Sequence, residues 1–223
     1  MIKDPNRKIG IIFDLDGTLL NTLDDLADAV TQTLCHFGYP TRTYEEIRRF
    51  VGNGVKVLMK KSCPEKLTDD HFSECLTYFQ EYYKKNMLNK TQPYPGIMDM
   101  LGELKNQGVA VGIVSNKFQK AVTGLWQRFF KDTVTVAIGN REGVLPKPAP
   151  DSVMLAISEL KLDSKRDLIY YVGDSETDIL TAGNAKLPII SVTWGFRTLE
   201  ELKSCGAISL IDKPEEIFSF LKC

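Results

Sequence analysis

Histidine is nearly missing from this chain of 223 residues: there are two, His36 and His71, and neither has a second histidine or a cysteine at ligand spacing. A histidine-based triad or zinc centre is thereby set aside. Cysteine is sparse and odd in number, and Cys35, Cys63, Cys75, Cys205 and Cys223 never form a C-x-x-C pair. That excludes a disulfide framework and a zinc knuckle, and suits free thiols in a reducing compartment. Long apolar runs are also lacking. Val109 to Val114 is far too short to cross a bilayer, and the N-terminal MIKDPNRK has no apolar signal-peptide core. Charge of one sign is absent too, with 28 Lys+Arg against 29 Asp+Glu for a net charge of -1. No global field draws the protein to nucleic acid or anionic lipid, so any anion it binds is held locally. These absences predict a cytosolic protein without nucleic-acid or membrane partners.

What is present is a globular composition, 43% hydrophobic and 26% charged, in a length that suits one domain with a substantial insert or two small ones. Ile9 to Phe13 is a short apolar run, as expected for a strand buried on both faces of a parallel sheet. From about Asn21 to Asn89 the helical period takes over. Leu23, Leu26, Ala27, Val30, Leu34 and Phe37 mark one helix, capped by Asn21 or Thr22, with Asp24 and Asp25 favouring its dipole. Phe72, Cys75, Leu76, Phe79, Tyr82 and Tyr83 mark a second long helix. Shorter helical pieces flank Gly52-Asn53-Gly54, and no strand is expected in this stretch.

After Pro93-Tyr94-Pro95-Gly96 helix and strand alternate, with strands expected at 109–114, 134–138, 168–172 and 188–192. Helices are expected at 97–107, 118–130, 151–161, 179–185, 198–204 and 214–221, with a short strand at 208–211. This predicts an α/β domain with a parallel sheet, interrupted after its first strand by a helical insertion that sits over the sheet as a lid.

In open parallel sheets ligands bind at the carboxyl ends of strands, and four such places carry chemistry. They are Asp14-Leu15-Asp16-Gly17-Thr18, Ser115-Asn116, Pro146-Lys147-Pro148 and Gly173-Asp174-Ser175, the last followed by Asp178. Asp14, Asp16 and Asp174 would gather carboxylates at one sheet edge. Two bare carboxylates about 4 Å apart repel by roughly 4 kcal/mol at an effective dielectric near 20. A divalent cation removes that cost, and hard oxygen ligands suit Mg²⁺ better than zinc. Lys147, Ser115, Asn116 and the amides around Gly17 offer donors to a tetrahedral anion. A calcium loop fits poorly, because the third oxygen ligand is Thr18 and no Glu falls at the twelfth position. Taken singly, Ser115-Asn116 reads as a turn, Lys147 as a solvated charge and Gly173-Asp174-Ser175 as a helix cap. Together they form an apparatus for phosphoryl transfer.

These four segments resemble the four motifs of the haloacid dehalogenase superfamily, over nearly the whole chain. The resemblance implies a Rossmann-like core, residues 1–19 and 92–223, with an inserted helical cap, residues 20–91, hinged near Asn21 and Thr91. It implies that Asp14 is the nucleophile and Asp16 the general acid/base. Mg²⁺ would be held by Asp14, the Asp16 carbonyl and Asp174, with Asp178 in support. Ser115 and Lys147 would bind the phosphoryl group, supported by Asn116, Gly17 and Thr18. Dehalogenases lack the second aspartate of the first motif, so Asp16 favours a phosphatase. Within the superfamily the chain is most similar to phosphoglycolate phosphatases, through Arg48 to Gly54 and Thr193 to Phe196. By that likeness Arg48 meets a substrate carboxylate and Gly52 approaches the site, or Arg48 is a solvated helix charge. The expected substrate is a small phosphorylated metabolite. The alternatives are transfer of the β-phosphoglucomutase kind, pyrophosphate hydrolysis, or a phosphate-binding module without turnover. Monomer and homodimer both remain open.

Overall fold

The computed structural model describes residues 7–221; the Cys223 thiol and most of the MIKDPNRK terminus lie outside the described residues. The chain begins with β1 (Ile9–Phe13) and a short β2 (Leu20–Asn21). Four helices follow: α1 (Leu23–His36), α2 (Tyr44–Phe50), α3 (Val55–Ser62) and α4 (Asp69–Asn86). A second short strand, β3 (Gln92–Pro93), closes this insertion. Alternation then sets in with α5 (Ile97–Asn106), β4 (Ala110–Phe118), α6 (Gln119–Phe129), β5 (Val136–Asn140), α7 (Asp151–Glu159), β6 (Leu168–Gly173), α8 (Glu176–Ala185) and β7 (Ile189–Val192). The chain finishes through α9 (Leu199–Ser204), β8 (Leu210–Ile211), a 3₁₀ turn and α10 (Phe218–Leu221).

The six longer-range strands form one parallel sheet in the order β5-β4-β1-β6-β7-β8. Phe13 pairs with Ile113 on one side and Val172 on the other, so β1 and β6 end level, while β4 runs on to Phe118. From β1 the chain moves to β4, whereas β6 moves away to β7. The residues after β1 and β6 therefore meet where the winding reverses, the usual ligand crevice of such sheets.

The apolar spacing is realised as burial. Leu23, Leu26, Ala27, Val30 and Leu34 are buried along α1, and Cys75, Phe79 and Tyr83 form a stripe along α4. Both stripes join a single apolar cluster with Phe13, Leu19, Val111 and Ile113, so the inserted helices and one face of the sheet share a core. Val153, Ala156 and Ile157 of α7 cover the opposite face with Ile12, Val114 and Tyr171. Each large side chain so buried contributes about 1.5–3 kcal/mol.

Several expectations shift. Leu20 pairs with Pro93 and Asn21 with Gln92 in a small antiparallel ribbon at the margins of the insertion, where only helix and loop were expected. Thr22 stands at the N-cap of α1, yet its side chain makes no capping bond. Asp25 does more than favour a dipole. It is buried and accepts the Lys90 amide at 3.1 Å, the Thr91 amide at 2.9 Å and the Thr91 hydroxyl at 2.8 Å, tying the start of α1 to the chain that leaves the insertion. The strand expected to end at Val114 continues to Phe118, with a shift of register against β5 between those two residues.

Candidate active site

Asp14 follows the last residue of β1, and its amide donates to the Val172 carbonyl at 2.8 Å. Leu15 turns into the core, while its carbonyl receives the amides of Leu19 and Leu20. The loop is thereby pinned with Asp14 and Asp16 facing the crevice. Gly17 has φ +89°, and a Cβ there would lie 2.3 Å from Asp174 Oδ2. No side chain fits between this loop and the carboxylate after β6. Thr18, wholly buried, donates its hydroxyl to Asp174 Oδ1 at 3.3 Å.

Lys147 reaches the same point from the loop between β5 and α7. Its Nζ lies 2.6 Å from Asp14 Oδ1, 2.7 Å from Asp178 Oδ1 and 3.0 Å from the Tyr171 hydroxyl. Burial opposes this charge, but Asp14 and Asp178 hold its pKa above the ordinary lysine value. The loop is fixed by Asn116, whose Oδ1 accepts the Lys147 amide while its Nδ2 donates to the Lys147 carbonyl. Asn116 thus positions the lysine. Asp178 is held in turn, its Oδ2 accepting the Ser175 amide and hydroxyl in the capping box of α8.

Asp14, Asp174 and Asp178 are buried, and each offers a carboxylate oxygen within 4.8 Å of the others. Burial, with repulsion from Asp178, lifts Asp174 to about 7, and burial also raises Asp14 well above the carboxylate range despite the attraction of Lys147. Three carboxylates against one ammonium leave excess negative charge in a low-dielectric crevice. An oxygen-donor set of that composition fits a hard divalent cation.

A sequence profile described as "Haloacid dehalogenase-like hydrolase" matches residues 11–192. The chain belongs to that family. This hydrolase is 31% identical over 192 residues to a phosphoglycolate phosphatase of Mannheimia succiniciproducens, covering 82% of this chain and 85% of the relative. It is 30% identical over 215 residues to that of Vibrio parahaemolyticus, covering 93% of each chain. A crystal structure from Lactobacillus delbrueckii subsp. bulgaricus, provisionally described as a phosphoglycolate phosphatase, superposes with a TM-score of 0.88 at 33% identity, over 96% of this chain and 98% of the other.

The crevice of this hydrolase is lined by Asp14, Asp16, Ser115, Asn116 and Asp174 from below. Leu26, Val51, Gly52, Gly54, Val55 and Leu58 of the inserted helices line it from above. Gly54 has φ +83°, and a Cβ there would lie 3.0 Å from the Asn116 carbonyl, so this turn sits against the end of β4 with little room. Asn116 Nδ2 also reaches the Gly52 carbonyl at 3.3 Å.

Gly17, Thr18, Lys147 and Asp178 stand behind the crevice lining but touch its carboxylates or one another, whereas Arg48 has its partners elsewhere. Its guanidinium is not in the crevice lining; it donates to the Phe196 carbonyl and pairs with Glu201 at 3.4 Å and Glu45 at 2.8 Å. Arg197 answers from the other side. It donates to the Arg48 carbonyl at 3.2 Å and the Val51 carbonyl at 2.9 Å, while holding Glu176. The two arginines cross the junction between helices and sheet in opposite directions. Arg197 satisfies carbonyls left open at the C-terminus of α2, and Arg48 one in the loop between β7 and α9.

Arg197, Tyr171 and Lys117 escaped the sequence reading, and Thr22, expected there only as a cap, donates to Asp16 instead. Lys117 Nζ lies 2.7 Å from Asp16 Oδ1 and 4.7 Å from the centre of the Tyr83 ring, with the side chain 3% exposed. Burial works against its charge, but Asp16 keeps its pKa above the ordinary value. The available signal was its place directly after Ser115-Asn116, masked by the expectation that β4 had already ended.

Among the described residues, no helix is long and apolar enough to cross a membrane, and Cys35, Cys63, Cys75 and Cys205 are free thiols.

Proposed function

We propose that this hydrolase is a Mg²⁺-dependent phosphatase that removes the phosphoryl group from a small phosphorylated metabolite, 2-phosphoglycolate first among the candidates, by way of a phosphoryl group carried on Asp14. The observation that carries the reading is Asp14 held 2.6 Å from the Lys147 ammonium, on the same short loop as Asp16. The names of the relatives support the substrate. Residues 20–91 serve as the cap, and residues 1–19 with 92–223 as the catalytic core. The free thiols suit a cytosolic setting.

Asp14, Asp174 and Asp178 would hold Mg²⁺, together with the Asp16 carbonyl implied by the family resemblance. When bound, the ion supplies positive charge against the phosphoryl oxygens. The rest falls to the chain itself. An Asp14 oxygen attacks phosphorus, and Asp16 gives a proton to the departing oxygen. Asp16 then takes a proton from the water that attacks the acyl phosphate, which regenerates Asp14 and releases orthophosphate. Lys147 and Ser115 hold the phosphoryl oxygens, and losing one such donor costs about 3 kcal/mol of barrier. The apolar cap residues Leu26, Val55 and Leu58 exclude water from the acyl phosphate.

The test is rapid acid quench with 2-phosphoglycolate and Mg²⁺, followed by mass analysis of the peptide containing Asp14. A phosphoryl addition on that peptide, absent from Asp14→Asn, together with loss of turnover in excess EDTA, is the expected result. No addition in the wild type, or unchanged turnover in Asp14→Asn, overturns the reading. A kcat/KM panel then ranks substrates. Conversion of glucose 1-phosphate with a bisphosphate primer into an isomer, in preference to orthophosphate, would overturn hydrolysis as the outcome.

A further inference from the structure

We propose that Lys117 is a positioning residue for Asp16: its ammonium anchors Oδ1 directly, while its amide holds the Ser115 hydroxyl that lies beside Oδ2, so that Oδ2 alone performs the proton transfers. The inference rests on the reading of Asp16 as the acid and base of a phosphatase.

The two oxygens of Asp16 live in different surroundings. Oδ1 accepts the Lys117 ammonium at 2.7 Å and the Thr22 hydroxyl at 2.6 Å, which uses its lone pairs. Oδ2 has a single long contact, the Ser115 hydroxyl at 3.4 Å, and that hydroxyl accepts the Lys117 amide at 3.1 Å. Lys117 therefore holds one edge of the carboxylate directly and sets the other through Ser115. Oδ1 is anchored and Oδ2 stays open toward the crevice that Asp16 and Ser115 line.

Packing alone does not call for a lysine at this position. The side chain is buried against Tyr83 of α4, a site where an apolar residue would fit without the desolvation cost of an ammonium. The charge instead locks the plane of Asp16, a control that holds a proton donor within reach of the reacting oxygen. The clamp also spans the molecule. Thr22 belongs to the hinge beside β2 and holds Asp16 directly, whereas Tyr83 of the cap packs against the Lys117 ammonium that holds it.

The proton balance follows. In the first half-reaction the bond between phosphorus and the leaving oxygen breaks, and the proton on Oδ2 moves to that oxygen. In the second, water bonds to phosphorus as the bond to Asp14 breaks, and Oδ2 takes the water proton. An alkyl leaving group needs the first transfer. A p-nitrophenolate, weakly basic, leaves without it.

The experiment compares single-turnover phosphorylation of the full Mg²⁺-loaded chain by 2-phosphoglycolate and by p-nitrophenyl phosphate, in wild type, Lys117→Met and Thr22→Val. The expected result is that Lys117→Met slows phosphorylation by 2-phosphoglycolate about tenfold or more, with KM little changed, and leaves the p-nitrophenolate burst within about threefold. Thr22→Val, which removes a neutral donor and keeps the buried charge paired, shows the same selectivity on a smaller scale and carries the test if Lys117→Met does not fold. Equal slowing of both substrates, or of neither, overturns the inference. A wild type that forms no phosphoenzyme with either substrate overturns it together with the phosphatase reading, whereas selectivity missing from the variants alone overturns only the role of Lys117.

Discussion

Asn116 grips Lys147 by both edges of its side-chain amide, Oδ1 taking the lysine amide at 2.8 Å and Nδ2 giving to the lysine carbonyl at 3.0 Å. The loop that delivers the Lys147 ammonium is therefore set by a residue on a neighbouring strand. In Asn116→Ala two buried backbone groups lose their partners, at about 1–3 kcal/mol each. Urea unfolding should show that loss. The kcat of the folded variant should fall more than its KM rises, because Lys147 is displaced from the reacting phosphoryl group.

The acidic cluster makes metal affinity depend on pH with a definite sign. Burial raises Asp174 to about 7 from its ordinary value of 3.8, and raises Asp14 in the same direction. A carboxyl raised in the folded state adds stability in full below its unfolded value, and that stability is lost as pH climbs through the folded one. The metal-free protein should lose this contribution between about pH 4 and pH 7. Mg²⁺ competes with those protons, so the rise in Tm on adding Mg²⁺ should be small near pH 5, grow toward pH 7 and level off above it. Thermal melts across that range check it, with Asp174→Asn expected to flatten the dependence.

Arg48 should act on the cap junction and not on substrate choice. Its guanidinium is engaged by Glu45, Glu201 and the Phe196 carbonyl. Arg48→Ala is expected to lower stability by about 1–3 kcal/mol through lost buried hydrogen bonding. It should change kcat/KM for 2-phosphoglycolate and for p-nitrophenyl phosphate by the same factor, within about twofold. A selective loss on 2-phosphoglycolate would return Arg48 to the substrate.

Asp25 is the third structural test. Asp25→Ala strands the amides of Lys90 and Thr91 and the Thr91 hydroxyl, a loss of about 2–4 kcal/mol from the summed bonds. Limited proteolysis should then cut preferentially near residues 87–92, where the unpinned chain opens locally.

Most of the frame can be read from the residues themselves, because most of the chemical side chains follow strand ends. Apolar runs at Ile9 to Phe13 and Leu168 to Val172 place Asp14 and Asp174, and a parallel register does the rest. Helical spacing marks α1 and α4 in the same way. What sequence leaves hidden is pairing. Lys117 is marked in the letters only by following Ser115-Asn116, and its pairing with Asp16 depends on β4 running on to Phe118. Arg48 reads equally as a substrate contact or a solvated charge, and Arg197 carries no signal, until the segments that they cross-link are folded together. The β2–β3 ribbon is two residues a side, below the length at which alternation gives any signal.

That ribbon has a consequence for how such molecules diversify. Leu20 beside Pro93 and Asn21 beside Gln92 bring the departure and return of the helical segment to neighbouring points, locked by Asp25. To the sheet beneath, the intervening seventy or so residues have the footprint of a hairpin turn, since two adjacent attachment points are all that it must supply. Whole helical segments can thus be exchanged, shortened or grafted there as cassettes, leaving the register of the strands beneath untouched while recasting one wall of the crevice.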